Sequence, residues 1–329
     1  MGIKIAGTGM YVPEKILTNA DLEKIVDTSD EWIQTRTGIK ERHIADDNIP
    51  TSELAYHAAL KALEDADVSA DEIDLIIVAS ITTDKAFPST SCILQSKLGA
   101  SNAACFDLQA ACSGLIYSLE TAMYYIRGSK RYNKVLVLGA EKLSSITDWE
   151  DRSTCVLFGD GAAALVLERT DGDEECAIIA SDLGADGNYG DILHLPAGGS
   201  AMPLTAENIG DRMQYLKMGG QEVFKLAVGA MVSSSNKVLE EAGVSRDEVK
   251  WLVPHQANYR ILKAVASRLK IAEEKVYMNV DRYGNTSAAS IGLCLDEMNR
   301  GNLVKSGDYV LLTAFGGGLT WGSMLLKWN

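Results

Sequence analysis

Three stretches of this chain occur twice, in the same order, and that repetition limits the folds open to it. Lys61-Ala62-Leu63-Glu64-Asp65-Ala66-Asp67-Val68-Ser69-Ala70-Asp71-Glu72-Ile73 returns as Lys237-Val238-Leu239-Glu240-Glu241-Ala242-Gly243-Val244-Ser245-Arg246-Asp247-Glu248-Val249. Each copy runs from a helix end through a turn into an apolar strand, Leu75 to Ala79 and Trp251 to Val253. A helix ending at Arg127-Gly128 leads to a strand over Val135 to Leu138, and one ending at Arg300-Gly301 leads to a strand over Val310 to Thr313. Phe158-Gly159-Asp160-Gly161 and Phe315-Gly316-Gly317-Gly318 each open a terminal apolar strand. Self-similarity at a long period, with strands and helices alternating, predicts a duplicated α/β unit. The halves are expected over 1–171 and 172–329. Counting back from the shared Arg-Gly sets Cys112 opposite Asn285, so that two strand-to-helix elbows meet at one site.

Composition narrows the setting. With 329 residues, 47% hydrophobic and 23% charged, the chain has the make-up of a soluble globular protein large enough for two cores. Abundant Ala and Gly suit close packing of helix on sheet. The longest apolar runs are too short to cross a bilayer. Met1-Gly2-Ile3-Lys4-Ile5-Ala6-Gly7 reads as a first strand rather than a signal peptide. Six cysteines without CxxC spacing or a histidine cluster argue against a metal site or a disulfide framework, and so for a reducing, cytoplasmic setting. A net charge of −14 disfavours nucleic acid and anionic membranes as partners. The exception is residues 258–270, whose helical period puts Ile261, Leu262, Val265 and Leu269 on one face and Arg260, Lys263 and Lys270 on the other.

Chemistry concentrates at the breaks. Cys112 stands where a strand pattern, Phe106-Asp107-Leu108, gives way to small residues and then an amphipathic helix. Unpaired N–H groups and the helix dipole there favour the thiolate, the nucleophilic form. Of four histidines, 43, 57, 194 and 255, only His255 follows an apolar strand, in Val253-Pro254-His255-Gln256-Ala257-Asn258. Loops beyond the carboxyl ends of α/β strands are where ligands bind. Asp281-Arg282-Tyr283-Gly284-Asn285-Thr286-Ser287 forms a second polar elbow, and the glycines of Phe315-Gly316-Gly317-Gly318 let backbone N–H groups approach a ligand oxygen. No run fits a phosphate-binding loop or a dinucleotide fingerprint.

Ala111-Cys112-Ser113-Gly114, His255-Gln256-Ala257-Asn258, Gly284-Asn285-Thr286-Ser287 and Phe315-Gly316-Gly317-Gly318, with Asp30-Glu31-Trp32-Ile33-Gln34-Thr35-Arg36-Thr37-Gly38 and Gly7-Thr8-Gly9-Met10-Tyr11-Val12-Pro13, together resemble the β-ketoacyl-acyl-carrier-protein synthase III family nearly end to end. The resemblance implies a thiolase-like, duplicated, five-layered α-β-α-β-α fold and a homodimer. It implies decarboxylative condensation of an acyl-CoA primer with malonyl-acyl-carrier protein, through an acyl thioester on Cys112, with coenzyme A as substrate and no resident cofactor or metal. His255 and Asn285 would donate hydrogen bonds to the developing enolate, and the N–H groups of Cys112 and Gly317 would form an oxyanion hole.

The same resemblance assigns Thr28, Trp32, Arg36 and Arg152 to the coenzyme's adenine end and Gly220, Phe224, Ala257 and Asn258 to its pantetheine channel. Lys225, Arg260 and Lys263 would meet the carrier protein. Leu143 and Phe158 would bound the acyl pocket, closed by Phe87 from the partner subunit. Two other readings keep Cys112 and His255: an acyltransferase of a secondary pathway acting on an alcohol or amine, and a cysteine thioesterase.

Overall fold

The computed structural model describes residues 2–170 and 177–329. The division expected between 171 and 172 lies outside them. The first sheet is built from β1 (Gly2–Tyr11), β2 (Leu75–Ala79), β3 (Ala104–Leu108), β4 (Lys134–Glu141) and β5 (Gly161–Thr170), in the order β1-β5-β4-β2-β3. The second contains β6 (Ile178–Ala185), β7 (Val249–Pro254), β8 (Tyr309–Gly316) and β9 (Thr320–Lys327), in the order β7-β8-β9-β6. Within the first, β4 runs parallel to β2 and antiparallel to β5. Within the second, β8 runs parallel to β7 and antiparallel to β9. The topology is therefore one motif used twice. The second sheet's fifth place is reduced to one parallel bridge between Leu252 and Val276.

Helices fill three layers around these sheets. α1 (Asp30–Thr37) lies apart from them. α2 (Thr51–Ala66) and α3 (Thr90–Leu98) cover one outer face, where Leu54, Ala58 and Ala62 pack on Ile76, Leu136 and Val166. The small alanine face lets α2 lie close to the sheet. α4 (Gly114–Gly128) sits between the sheets; α5 (Gly220–Ala242) and α6 (Tyr259–Leu269) cover the other outer face; α7 (Ser290–Arg300) joins α4 at the centre. The central core joins Leu119, Met123 and Ile126 of α4 and Ile291, Leu295 and Met298 of α7 to both sheets. This is the expected five-layered α-β-α-β-α stack. In α6, Ile261, Leu262, Val265 and Leu269 are buried, as the helical period requires.

The elbows depart from the expected pairing. Short turns at Ala111–Ser113 and Ser287–Ala289 precede α4 and α7, and each opens on a residue with positive φ, Ala111 at 46° and Ser287 at 48°. That match sets Cys112 opposite Ala288, not Asn285. Counting back from the shared Arg-Gly fails because α7 is about one turn shorter than α4. Phe315 and Gly316 end β8 rather than open β9.

Each elbow packs against the other half's central strand. A side chain at Gly139, in β4, would come within 2.2 Å of the Ala288 carbonyl oxygen; one at Gly316, in β8, would come within 2.7 Å of the Cys112 nitrogen. The halves interlock at the point where the reactive groups gather.

Candidate active site

A cavity of about 750 Å³ opens between the two elbows. Cys112, His255 and Asn285 all line it, with Gly317 and Gly318. Three loops distant in sequence supply these groups, each held by its backbone. The His255 N–H donates to Thr313 O at 2.8 Å, extending the β7–β8 pairing by one residue. Asn285 is pinned beside Phe158 by a parallel bridge, its N–H donating to Leu157 O at 2.8 Å and its carbonyl accepting from Gly159 N at 3.0 Å. Gln256, behind His255, donates to Pro254 O at 2.7 Å and accepts from Asn279 and Val280 N–H at 3.0 and 3.2 Å.

The side chains are aimed by similar means. Ser287 N–H donates to Asn285 Oδ1 at 2.8 Å. A backbone N–H only donates, so that atom is the oxygen, and Nδ2 is left as the donor for a ligand. Nδ1 of His255 lies 2.7 Å from the Ser290 hydroxyl, which leaves Nε2 for the cavity. Burial pushes the imidazole down to about 3, so it is neutral at physiological pH.

Cys112 corrects an expectation. Burial pushes its thiol up to about 12, with the help of the nearby Glu141 carboxylate. The helix terminus does not outweigh this desolvation, partly because the residue sits in the tight turn before α4. The glycine turn is braced to the same elbow. Thr320 Oγ1 donates to Ala110 O at 2.9 Å, and Ser113 Oγ lies 2.8 Å from Thr320 Oγ1.

The cavity continues past Leu143 and Phe158 on one side and past Gly220, Ala257, Asn258 and Arg36 on another. Asn258 also caps α6, its Oδ1 accepting from Ile261 N at 3.1 Å. Arg36, at that end of the cavity, and Arg152 place their guanidinium groups 5.1 and 5.3 Å from the centre of the Trp32 ring. Thr28 is half-buried close by in sequence, and its Oγ1 has no partner among the described residues. Arg260 lines the mouth with its guanidinium 6.0 Å from the Phe224 ring, and Lys225 is exposed on the same helix as Phe224. Lys263 is engaged instead with Glu273 at 2.9 Å and with the Tyr259 ring. Phe87 lies outside its own chain's cavity, 85% exposed.

Two residues escaped sequence reading. His194 lines the cavity from a two-residue strand, and its Nδ1 has no partner among the described residues. Glu141, at the end of β4, is fully buried behind Ser287. A strand-terminal carboxylate gives no sequence signal of such a place.

The C-terminal part, residues 239–328, matches the model of the 3-oxoacyl-[acyl-carrier-protein] synthase III C-terminal domain, and residues 106–187 match the companion synthase III domain. Over 99% of its length the chain is 54% identical to the β-ketoacyl-[acyl-carrier-protein] synthase III of Caldanaerobacter subterraneus, covering 97% of that protein. The chain belongs to the β-ketoacyl-[acyl-carrier-protein] synthase III family. It is an acyl-transferring condensing enzyme, of the family that initiates type II fatty acid synthesis. The crystal structure of the Aquifex aeolicus synthase III superimposes with a TM-score of 0.90 at 50% identity, over 99% of this chain and 100% of that one. A priming β-ketosynthase of the R1128 polyketide pathway is 34% identical with a TM-score of 0.91, over 100% and 96% of the two chains. The enzyme shares its fold more widely, with OleA of Xanthomonas campestris at 20% identity and a TM-score of 0.85.

Proposed function

We propose that the enzyme condenses an acyl-CoA primer, acetyl-CoA by preference, with malonyl-acyl-carrier protein, and that Cys112, His255 and Asn285 divide the work. The observation that carries this is the orientation of the two donors. Protein contacts occupy Nδ1 of His255 and Oδ1 of Asn285, which leaves Nε2 and Nδ2 to meet one ligand oxygen near Cys112.

In the first half-reaction Sγ of Cys112 attacks the primer's thioester carbonyl, with the oxyanion received by the N–H groups of Cys112 and Gly317. Coenzyme A leaves. In the second, the malonyl group loses CO₂ and its enolate oxygen accepts from His255 Nε2–H and Asn285 Nδ2–H. The enolate carbon then attacks the acyl carbonyl and expels the Cys112 thiolate. A neutral imidazole suits this donor role, because both donors are then uncharged and fixed in place before charge develops.

The remaining assignments are part of the same reading. Trp32, with Arg36 and Arg152, grips adenine, with Thr28 beside them. Gly220, Phe224, Ala257 and Asn258 line the pantetheine path, and Lys225, Arg260 and Lys263 face the acidic carrier. Leu143 and Phe158 bound the primer. The protein works as a cytoplasmic homodimer, and Phe87 closes the partner's pocket. Supporting the dimer are the half-buried edge strand β3 and the exposed Phe87 and Tyr124. The chemistry needs no resident cofactor.

The test is an incubation of the enzyme with acetyl-CoA and malonyl-acyl-carrier protein, following labelled CO₂ and the carrier-bound product. Release of CO₂ with an acetoacetyl product is expected. Free acetate as the sole product would overturn the reading in favour of a thioesterase.

A further inference from the structure

One face of α7 braces both of the side chains assigned to the enolate. Ser290, Cys294 and Glu297 share that face, because they follow one another at spacings of four and three residues. Ser290 Oγ lies 2.7 Å from Nδ1 of His255. The Cys294 thiol donates to Asn279 Oδ1 at 3.2 Å, and Glu297 Oε2 accepts from Asn279 Nδ2 at 2.8 Å. Glu297 itself does not line the cavity.

The Glu297 carboxylate gathers the run of chain that leads to Asn285. Oε2 also accepts from the Tyr277 hydroxyl at 3.2 Å and from Arg282 Nη2 at 2.9 Å, and Oε1 accepts from the Tyr283 hydroxyl at 2.9 Å. Burial opposes its charge, but hydrogen bonds from Arg282 and Asn279 hold the carboxyl below its ordinary value. It is therefore an acceptor for all four side chains at once.

Two arms lead from this carboxylate to the catalytic donors. In one, the buried Asn279 donates its N–H to Gln256 Oε1 at 3.0 Å, and the Gln256 N–H meets Ser290 Oγ at 3.4 Å beside His255. In the other, Tyr283 is fixed two residues before Asn285, and Gly284, with a φ of 63°, turns the chain between them. The duplication shows that the fold does not require this stripe. Matching Ala111 to Ser287 sets Gly114, Ser118 and Thr121 of α4 against the three residues of α7. There Thr121 Oγ1 turns back to Tyr117 O at 2.7 Å, and Ser118 Oγ has no partner among the described residues. The tether belongs to the half that carries His255 and Asn285.

We propose that Glu297 is a positioning residue for condensation, holding His255 through Asn279 and Gln256 and holding Asn285 through Tyr283. This rests on the enolate-donor reading of His255 and Asn285 given above. Because both donors must meet one oxygen, a single carboxylate that fixes the two loops sets their spacing before the substrate arrives. Acylation of Cys112 uses the backbone N–H groups of the other elbow and does not depend on that spacing.

The experiment uses the full chain and two variants, Glu297→Ala and Tyr283→Phe. Acetylation by acetyl-CoA is followed in a single turnover by rapid quench and intact mass. Condensation of the preformed acetyl-enzyme with malonyl-acyl-carrier protein is followed by labelled CO₂. Glu297→Ala is expected to slow condensation about 100-fold while acetylation stays within about threefold of wild type. The loss should fall on the maximal rate of condensation rather than on KM for the carrier substrate. The nitrogen-15 signal of the His255 imidazole should shift or broaden. Tyr283→Phe cuts only the Asn285 arm, so condensation should slow about tenfold with the His255 signal unchanged.

Equal slowing of acetylation and condensation by Glu297→Ala would overturn the proposal, since that is what a merely structural carboxylate does. So would condensation within about threefold of wild type in that variant. Should Glu297→Ala fail to fold, the same comparison of half-reactions in Tyr283→Phe decides the matter. If wild-type acetyl-enzyme releases no CO₂ from malonyl-acyl-carrier protein, the enolate-donor reading itself fails, and the His255 signal alone decides whether Glu297 holds the imidazole.

Discussion

The hydroxyl oxygen of Ser290 lies 2.7 Å from Nδ1 of His255, and both side chains are buried. Ser290 Oγ is also approached by the Gln256 N–H at 3.4 Å. With that N–H directed at its oxygen, the serine's own proton is free to point at Nδ1. A bare Nδ1 places the imidazole proton on Nε2, the form a hydrogen-bond donor to an enolate needs.

Ser290→Ala should therefore slow condensation while sparing acylation of Cys112. Loss of one neutral hydrogen bond, about 1 kcal/mol, corresponds to roughly a five- to tenfold slower condensation. Nitrogen-15 chemical shifts of the imidazoles check the cause directly, since only four histidines contribute. The wild-type His255 signal should report protonated Nε2 and the variant a mixture. Equal losses in both half-reactions would show that Ser290 serves the fold rather than the tautomer.

Gly316→Ala tests the interlock of the two halves. The new methyl would lie 2.7 Å from the Cys112 nitrogen and 3.0 Å from Ala111 Cβ, so backbone on one side must move. Any such movement shifts the Cys112 N–H relative to Gly317, the two donors assigned to the oxyanion. Loss of alignment of one oxyanion donor costs on the order of 3 kcal/mol, or about 100-fold in rate. Intact mass after a short exposure to acetyl-CoA should show little acetyl-enzyme. A melting curve separates this from failure to fold.

Much of this architecture was legible because duplication leaves marks in sequence. Strand β7 ends just before His255, and the helix Tyr259–Leu269 carries its buried face at the expected period. Counting back from Arg300-Gly301 misplaces the elbow because α7 is shorter than α4 and Arg300-Gly301 lies at its far end from the site. What could not be read is the result of burial. Nothing near Cys112 in sequence announces that desolvation will overrule a helix terminus. Glu141 and His194 become neighbours of the site only through sheet-on-helix packing across the two halves.

Arg260→Ala and Lys263→Ala should separate, although both belong to the same basic stripe. Arg260 is exposed at the cavity mouth, whereas Lys263 is paired with Glu273 at 2.9 Å and lies over the Tyr259 ring. A cation already paired offers less to an incoming acidic partner. Arg260→Ala should raise the apparent KM for malonyl-acyl-carrier protein several-fold, with little change for acetyl-CoA. Lys263→Ala should have the smaller effect, and added salt should narrow the gap between wild type and Arg260→Ala. Initial rates at low and high ionic strength measure both.

Asp148 and Arg212 supply a pH-dependent anchor for one wall of the cavity. Asp148 is nearly buried, 3% exposed, and receives both Nε and Nη2 of Arg212, with Lys217 Nζ 3.6 Å away. Chiefly through the Arg212 hydrogen bonds, its carboxyl is lowered from 3.8 to about 2. A depressed carboxylate stabilises the fold above its unfolded value, and that contribution fades as the pH falls from about 4 towards 2. Arg212 is itself 35% exposed, so the pair is worth less than a fully buried one. Arg212→Ala should then destabilise the protein at neutral pH, and the difference from wild type should shrink below pH 4. Urea unfolding across that range measures it. A deficit unchanged at low pH would mean that Arg212 contributes packing rather than charge. Because Leu195, Ala197 and Leu216 wall the cavity on either side of Arg212, the variant should also bind the primer less tightly, read as a raised KM for acetyl-CoA.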